Sequence, residues 1–179
     1  SDLTGQPVDW FLDRTGNGAF RPPEIVASTL PDPATIAIRG TVQAGVWRHV
    51  EPEEFPVHET VRVPLDRAYD GLRVYGLRVA GASMNLVYPP GTILVCVKLL
   101  DLGREPKNGE RVIVLRNRDG DGSELTVKEY RTEPDGTKKL LPRSSHPAFQ
   151  EPMELARGRT IDETVEIQAI VIASVKYEV

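Results

Sequence analysis

The chain has 179 residues, 40% of them hydrophobic and 27% charged, with a formal net charge of -4. That length holds one ordinary domain with extensions and is enough to bury a sizeable core. The negative balance argues against nucleic-acid binding by this stretch alone, and no apolar run approaches the ~20 residues that cross a bilayer.

Ser1 to Pro33 reads as a tail or linker. Thr15-Gly16-Asn17-Gly18 and the prolines 22, 23, 31 and 33 punctuate it and keep it extended. Within it, Pro7 to Leu12 is a short apolar and aromatic segment that could dock on the body. No basic-then-apolar leader opens the chain.

From Thr35 the grammar is that of β-strands. Ile36, Ile38 and Val42 mark the first strand region, and Val61 and Val63 the second. Leu72 to Tyr75 and Leu77 to Val79 alternate with a phase break at Gly76, which predicts a bulge there. Met84 to Tyr88 is the one stretch of the body that suggests a helical turn. Thr92 to Leu99 is almost continuously apolar, as in a strand covered on both faces. Its Cys96 is the chain's single cysteine and reads as a buried structural thiol. That usage permits a reducing cytoplasm. Arg111 to Leu115 and Leu125 to Tyr130 follow, joined by Asp119-Gly120-Asp121-Gly122. Lys138 to Leu141 comes after Pro134-Asp135-Gly136. Such aspartate-glycine pairs accept the positive φ of tight hairpins. Thr164 to Val175 is a last long strand whose Ile170 and Ile172 break the alternation of Val165, Ile167, Ala169 and Val171. Two apolar faces call for a covering layer or a partner chain.

Several chemistries find no support. Asp119 to Glu124 superficially resembles a calcium loop, but it lacks glycine at the sixth position and a glutamate at the twelfth, which is Tyr130. It reads as a solvated hairpin. His49, His58 and His146 have no metal-ligand spacing, and no cofactor is implied. The glycines around Gly16 and Gly120 fit no phosphate loop.

Two residues stand out instead. Ser83 follows the apolar strand ending at Val79 and opens a turn. Lys128 lies inside the apolar run Leu125 to Tyr130. A serine is a weak nucleophile until a base takes its proton. A lysine can be that base only when neutral, and with an ordinary pKa of about 10.4 that costs roughly 4 to 5 kcal/mol at pH 7. Burial lowers a lysine pKa by about 3 to 5 units and removes most of that cost.

The blocks Leu77 to Val97, Asn108 to Arg116, Leu125 to Arg131 and Lys139 to Phe149 occur in an order that resembles the C-terminal domain of LexA-like and phage CI-like repressors. These are self-cleaving Ser-Lys peptidases related to UmuD. The resemblance runs from about Ile36 to Val175. It implies a mostly β, LexA/signal-peptidase-like twisted sheet with short helical turns, preceded by an irregular linker. It implies two parts: 1–34, a linker with the remnant of an upstream helix-turn-helix domain, and 35–179, a peptidase and dimerisation domain. The stretch Asp9-Trp10-Phe11-Leu12 is similar to the end of such a helix-turn-helix domain.

On this resemblance Ser83 is the nucleophile, Lys128 the base, and the backbone amides of Ala82 and Ser83 the oxyanion hole. The family cuts itself at an Ala-Gly or Cys-Gly bond about forty residues before the serine. Here Ala44-Gly45 fits, with Val42 filling an apolar pocket. A small residue before the bond suits a narrow pocket, and glycine after it allows close approach to the serine. The family also implies a homodimer, a RecA-DNA filament as trigger, operator DNA bound through a missing N-terminal domain, and a cytoplasmic setting without membrane. Cleavage would end repression in a DNA-damage response. One departure is Ala82, where the phage-repressor branch has an acidic residue. Two other readings remain open: a non-cleaving dimerisation or interaction module of the same fold, and a serine peptidase acting in trans.

Overall fold

The computed structural model describes residues 32–47, 59–155 and 163–177. The chain divides into two units, Ser1–Leu30 and Pro31–Val179. The segment Pro7 to Leu12, His49 and His58 lie outside the described residues. The second unit carries the sheet.

Among the described residues nine strands form one mixed sheet. They are β1 (Ala34–Val42), β2 (Thr60–Val63), β3 (Val74–Val79), β4 (Ile93–Lys98), β5 (Arg111–Arg118), β6 (Gly122–Thr132), β7 (Lys138–Leu141), β8 (Met153–Glu154) and β9 (Glu163–Val175). Their order across the sheet is β2-β1-β3-β4-β9-β5-β6-β7-β8. Of these neighbours only β1 and β3 run parallel. The mostly β fold expected from the sequence is therefore the one observed.

Alternation splits the core between the two faces of the sheet. On β4, Leu94 and Cys96 join one cluster with Val42, Leu77, Val79, Met84, Ile113 and Val127. Ile93 and Val95, pointing the other way, pack with Ile36, Val61 and Val63. On β5, Ile113 belongs to the first cluster, while Val112 and Val114 pack with Tyr130, Leu140 and Ile170. β4 is buried from Ile93 to Val97, which is why its sequence shows no alternation. Burial pushes the Cys96 thiol well above its ordinary pKa, so it stays an inert hydrophobe.

Three local features differ from the sequence reading. The irregularity expected at Gly76 falls on the neighbouring strand. β3 pairs with β4 without a break, while β1 shifts register between Ile38 and Thr41. Leu99–Leu102 is a four-residue helix, α1, closed by Gly103 at φ 61°. Its leucines resume the apolar run of β4 directly after Lys98, so a single polar residue is the one mark of where the strand stops. β8, only two residues long, has no alternation to announce it in the sequence. Met84 to Tyr88 does form the single turn expected, with the Tyr88 N–H donating to the Met84 carbonyl at 2.6 Å.

β9 explains its own broken alternation. It carries one extra residue opposite Ile113/Val114 and another opposite Val95/Cys96. Each inserted residue flips the phase of those after it. Val165 and Ile167 thereby share a cluster with Ile170, while Ala169 and Val171 face the cluster on the other side.

Candidate active site

The site lies where the end of β1, the turn after β3 and the part of β6 that precedes its pairing with β7 meet. β1 runs beside β3 as far as the Val42/Val79 pair. The Ala80 N–H then donates to the Val42 carbonyl at 3.0 Å. One residue on, the Gln43 N–H donates to the Leu125 carbonyl of β6 at 2.9 Å. The segment Val42 to Gly45 is thus held from both sides. Val42 is buried in the first core cluster at 1% exposure.

Gly81 makes this passage possible. A Cβ there would stand 3.1 Å from the Ala44 nitrogen and 3.3 Å from the Gln43 Cα. Both are backbone atoms that cannot give way cheaply. The sequence points to Gly45 as the place of close approach. A Cβ at Gly45 would meet only the Phe149 ring, at 3.7 Å, so the tighter backbone contact in this structure is the one at Gly81. Gly45 has a different requirement, a φ of 77°, which costs an ordinary residue about 1–2 kcal/mol.

Ser83 is 3% exposed, and its turn is fastened from outside. The Arg143 N–H donates to the Ser83 carbonyl at 3.0 Å, and the Leu86 N–H donates to the Arg143 carbonyl at 3.1 Å. The Asn85 side chain adds two more bonds between the same loops, its Nδ2 donating to Ser145 Oγ and its Oδ1 accepting the Ser145 N–H. Arg143 is itself held on β6 by a bidentate pair with buried Glu129, at 2.9 and 2.6 Å. Such fork-to-carboxylate pairs fix geometry as well as adding energy. The serine turn is therefore tied to the strand that carries Lys128, one residue away from Glu129.

Lys128 is 5% exposed. Its neighbour Val127 faces the core, so Lys128 points the other way. There it lines a cavity of about 280 Å³ with Ala44, Gly45, Trp47, Arg116, Glu124 and Pro142. Burial brings its pKa down from 10.5 to about 8; Glu124 pulls it up and Arg116 pushes it down by smaller amounts. About one molecule in ten then has a neutral Lys128 at pH 7. Two residues before it, the Thr126 hydroxyl is buried without a hydrogen-bond partner.

The structure thus brings Lys128, Ala44 and Gly45 into one cavity. Ser83 is not among the residues lining it, but lies beside it through Arg143, next to lining Pro142. Ala82 and Ser83 begin the fastened turn. The oxyanion amides expected from the sequence are thus on the segment that Gly81 lays against Ala44.

Glu124 is a site residue that sequence reasoning misses. In sequence it belongs to a polar hairpin that reads as solvated, yet it is 2% exposed. Its Oε1 accepts the Gly45 N–H at 3.0 Å, and its Oε2 accepts from Arg116 at 2.7 Å. The signal that could have revealed it is its place four residues before Lys128, on the same side of β6. His146 only caps a short turn, its Nδ1 accepting the Ala148 N–H, so it supports no serine-histidine arrangement. Among the described residues no cluster of histidine, cysteine and carboxylate side chains could hold a metal ion. No helix among them is long and apolar enough to cross a membrane.

No curated protein matches the chain. The model of the family described as Peptidase S24-like matches residues 37–172. That span takes in β3, β4, β5, β6 and β7 entire, together with the cavity. By that match the chain belongs to the Peptidase S24-like family, the family of the LexA, UmuD and phage CI C-terminal domains.

Proposed function

We propose that the chain is the regulatory domain of a LexA/CI-like repressor and cuts its own Ala44-Gly45 bond with a Ser83-Lys128 dyad. The observation that carries this reading is the seating of residues 42–45. Val42 and Gln43 are held between the end of β3 and β6, and Ala44 and Gly45 line the cavity that also holds a lysine with its pKa brought down to about 8.

Neutral Lys128 takes the Ser83 hydroxyl proton as Ser83 Oγ attacks the Ala44 carbonyl carbon. The oxyanion forms against the Ala82 and Ser83 amides. Lys128 then gives the proton to the Gly45 nitrogen, which leaves as an amine. Water releases the acyl group from Ser83. Having nucleophile and substrate in one chain replaces a bimolecular encounter. It also makes the domain a single-use switch, whose rate follows the share of molecules with the loop docked and the lysine neutral. In the cell a RecA-DNA filament would favour the docked form, and the cut would separate this domain from an upstream operator-binding domain.

Mass spectrometry of the purified chain after incubation at alkaline pH tests this. The expected products are 1–44 and 45–179. Ser83→Ala and Lys128→Ala should each stay intact. A new N-terminus other than Gly45, or cleavage in the Ser83→Ala chain, refutes the assignment. An intact parent at every pH would favour the non-cleaving module.

A further inference from the structure

Beyond the bond itself, the chain two residues downstream of Gly45 is gripped. The guanidinium carbon of Arg118 lies 4.4 Å from the centroid of the Trp47 ring, and that of Arg116 lies 5.0 Å from it. The two arginines are two apart on β5, so both project from the same side of the strand. Arg116 is held firmly and Arg118 more loosely. Arg116 is paired with Glu124 at 2.7 Å and with Glu163 at 2.7 Å. Arg118 is paired with Asp121 and Glu163, each at 3.4 Å. The same Glu124 that anchors Arg116 accepts the Gly45 N–H. Trp47, Arg116, Arg118 and Glu124 all line the cavity of Lys128.

We propose that Arg116 and Arg118 form an aromatic-reading subsite on the leaving-group side of the scissile bond, and that Trp47 is the residue it reads. The proposal rests on the cleavage reading above and adds a specificity to it. A cation over a ring face is attracted by the ring's quadrupole, most strongly for tryptophan. An aliphatic side chain of similar bulk has no such face. Arginine suits the task because its planar group can stack on a ring while still donating to carboxylates. Trp47 and the Gly45 amide thus fix the segment at two points on the far side of the bond. Val42 fixes it on the near side. A bond held at both ends is presented in one geometry. Trp47 and Arg118 are positioning residues: neither touches the reacting atoms.

The test uses the whole chain and reads the first-order self-cleavage rate across pH. Trp47→Ala should lower the plateau rate about two- to fivefold, the size of a largely exposed cation–π contact, and leave the midpoint of the pH profile where it was. Arg118→Ala should do the same, because Arg118 is not among the charges that move the Lys128 pKa. Trp47→Tyr should restore most of the rate and Trp47→Leu should not. If Trp47→Ala cleaves as fast as the parent, or if Trp47→Leu restores the rate as well as Trp47→Tyr does, the subsite is refuted. A second readout needs no cleavage. In a Ser83→Ala, Trp10→Phe chain, Trp47 is the single tryptophan. Arg118→Ala should then make its fluorescence more open to acrylamide quenching, and unchanged quenching refutes the subsite. A parent that never cleaves sinks the proposed function, while the quenching result still decides the subsite.

Discussion

At the scale of single residues, the two halves of the site differ in how they are written. Lys128 is legible because a lysine amid Leu125, Val127 and Tyr130 breaks an apolar run, and burial of a strand cation has a known consequence. Ser83 is legible because it follows an apolar strand and a glycine. Glu124 is not legible, since its partner Gly45 is 79 residues away in sequence and its local setting reads as a polar hairpin. Its contact leads to a prediction. Glu124→Gln keeps an oxygen to accept the Gly45 N–H but removes the charge that raises the Lys128 pKa. Arg116, left with one carboxylate fewer, pushes that pKa down harder. The sign is the same for both effects. The pH-rate profile of Glu124→Gln should shift to lower pH, with faster cleavage at pH 7 than the parent. A profile shifted upward contradicts the electrostatic account.

At the scale of elements, the existence of every strand but the two-residue β8 is legible, and the way strands deviate is not. β4 and β7 appear close to their expected bounds, because unbroken apolar runs and aspartate-glycine turns are strong local signals. The two inserted residues of β9 cannot be read as such. Their trace in the sequence, Ile170 and Ile172 out of phase, is equally what a strand covered by a partner would show. α1 is hidden because Leu99 and Leu100 resume the run of β4 after Lys98, and a four-residue helix has no periodicity of its own. The turn from β3 to Ser83 depends on Gly81, whose need comes from a distant segment. Gly81→Ala places a methyl 3.1 Å from the Ala44 nitrogen. It should leave the sheet folded and slow self-cleavage at least tenfold by displacing residues 43–45. Matched thermal melts with a large loss of rate would bear this out. An unchanged rate would mean the segment is not docked against the serine turn when it reacts.

At the scale of the whole molecule, the sheet accounts for most of the apolar surface within one chain. Part of it stays half-open. Val165, Ile167, Ile172, Ala173 and Val175 on β9 are only partly buried, and Tyr177 beyond its end is 64% exposed. We expect a two-fold dimer that covers this strand. Sedimentation at tens of micromolar should report twice the chain mass, and a monomer there contradicts it. The described unit also holds everything the proposed reaction needs: docked bond, serine turn and lysine belong to one chain.

That property gives the most direct test. The first-order rate of Ala44-Gly45 cleavage should be followed from pH 6 to pH 10 at several protein concentrations. Only the neutral amine accepts the serine proton, so the rate should climb about tenfold per pH unit below the Lys128 pKa and level off above it. With that pKa near 8, the bend should fall near pH 8, and the rate constant should not depend on concentration. A rate that is flat with pH, or one that rises in proportion to protein concentration, would contradict an intramolecular Ser83-Lys128 reaction.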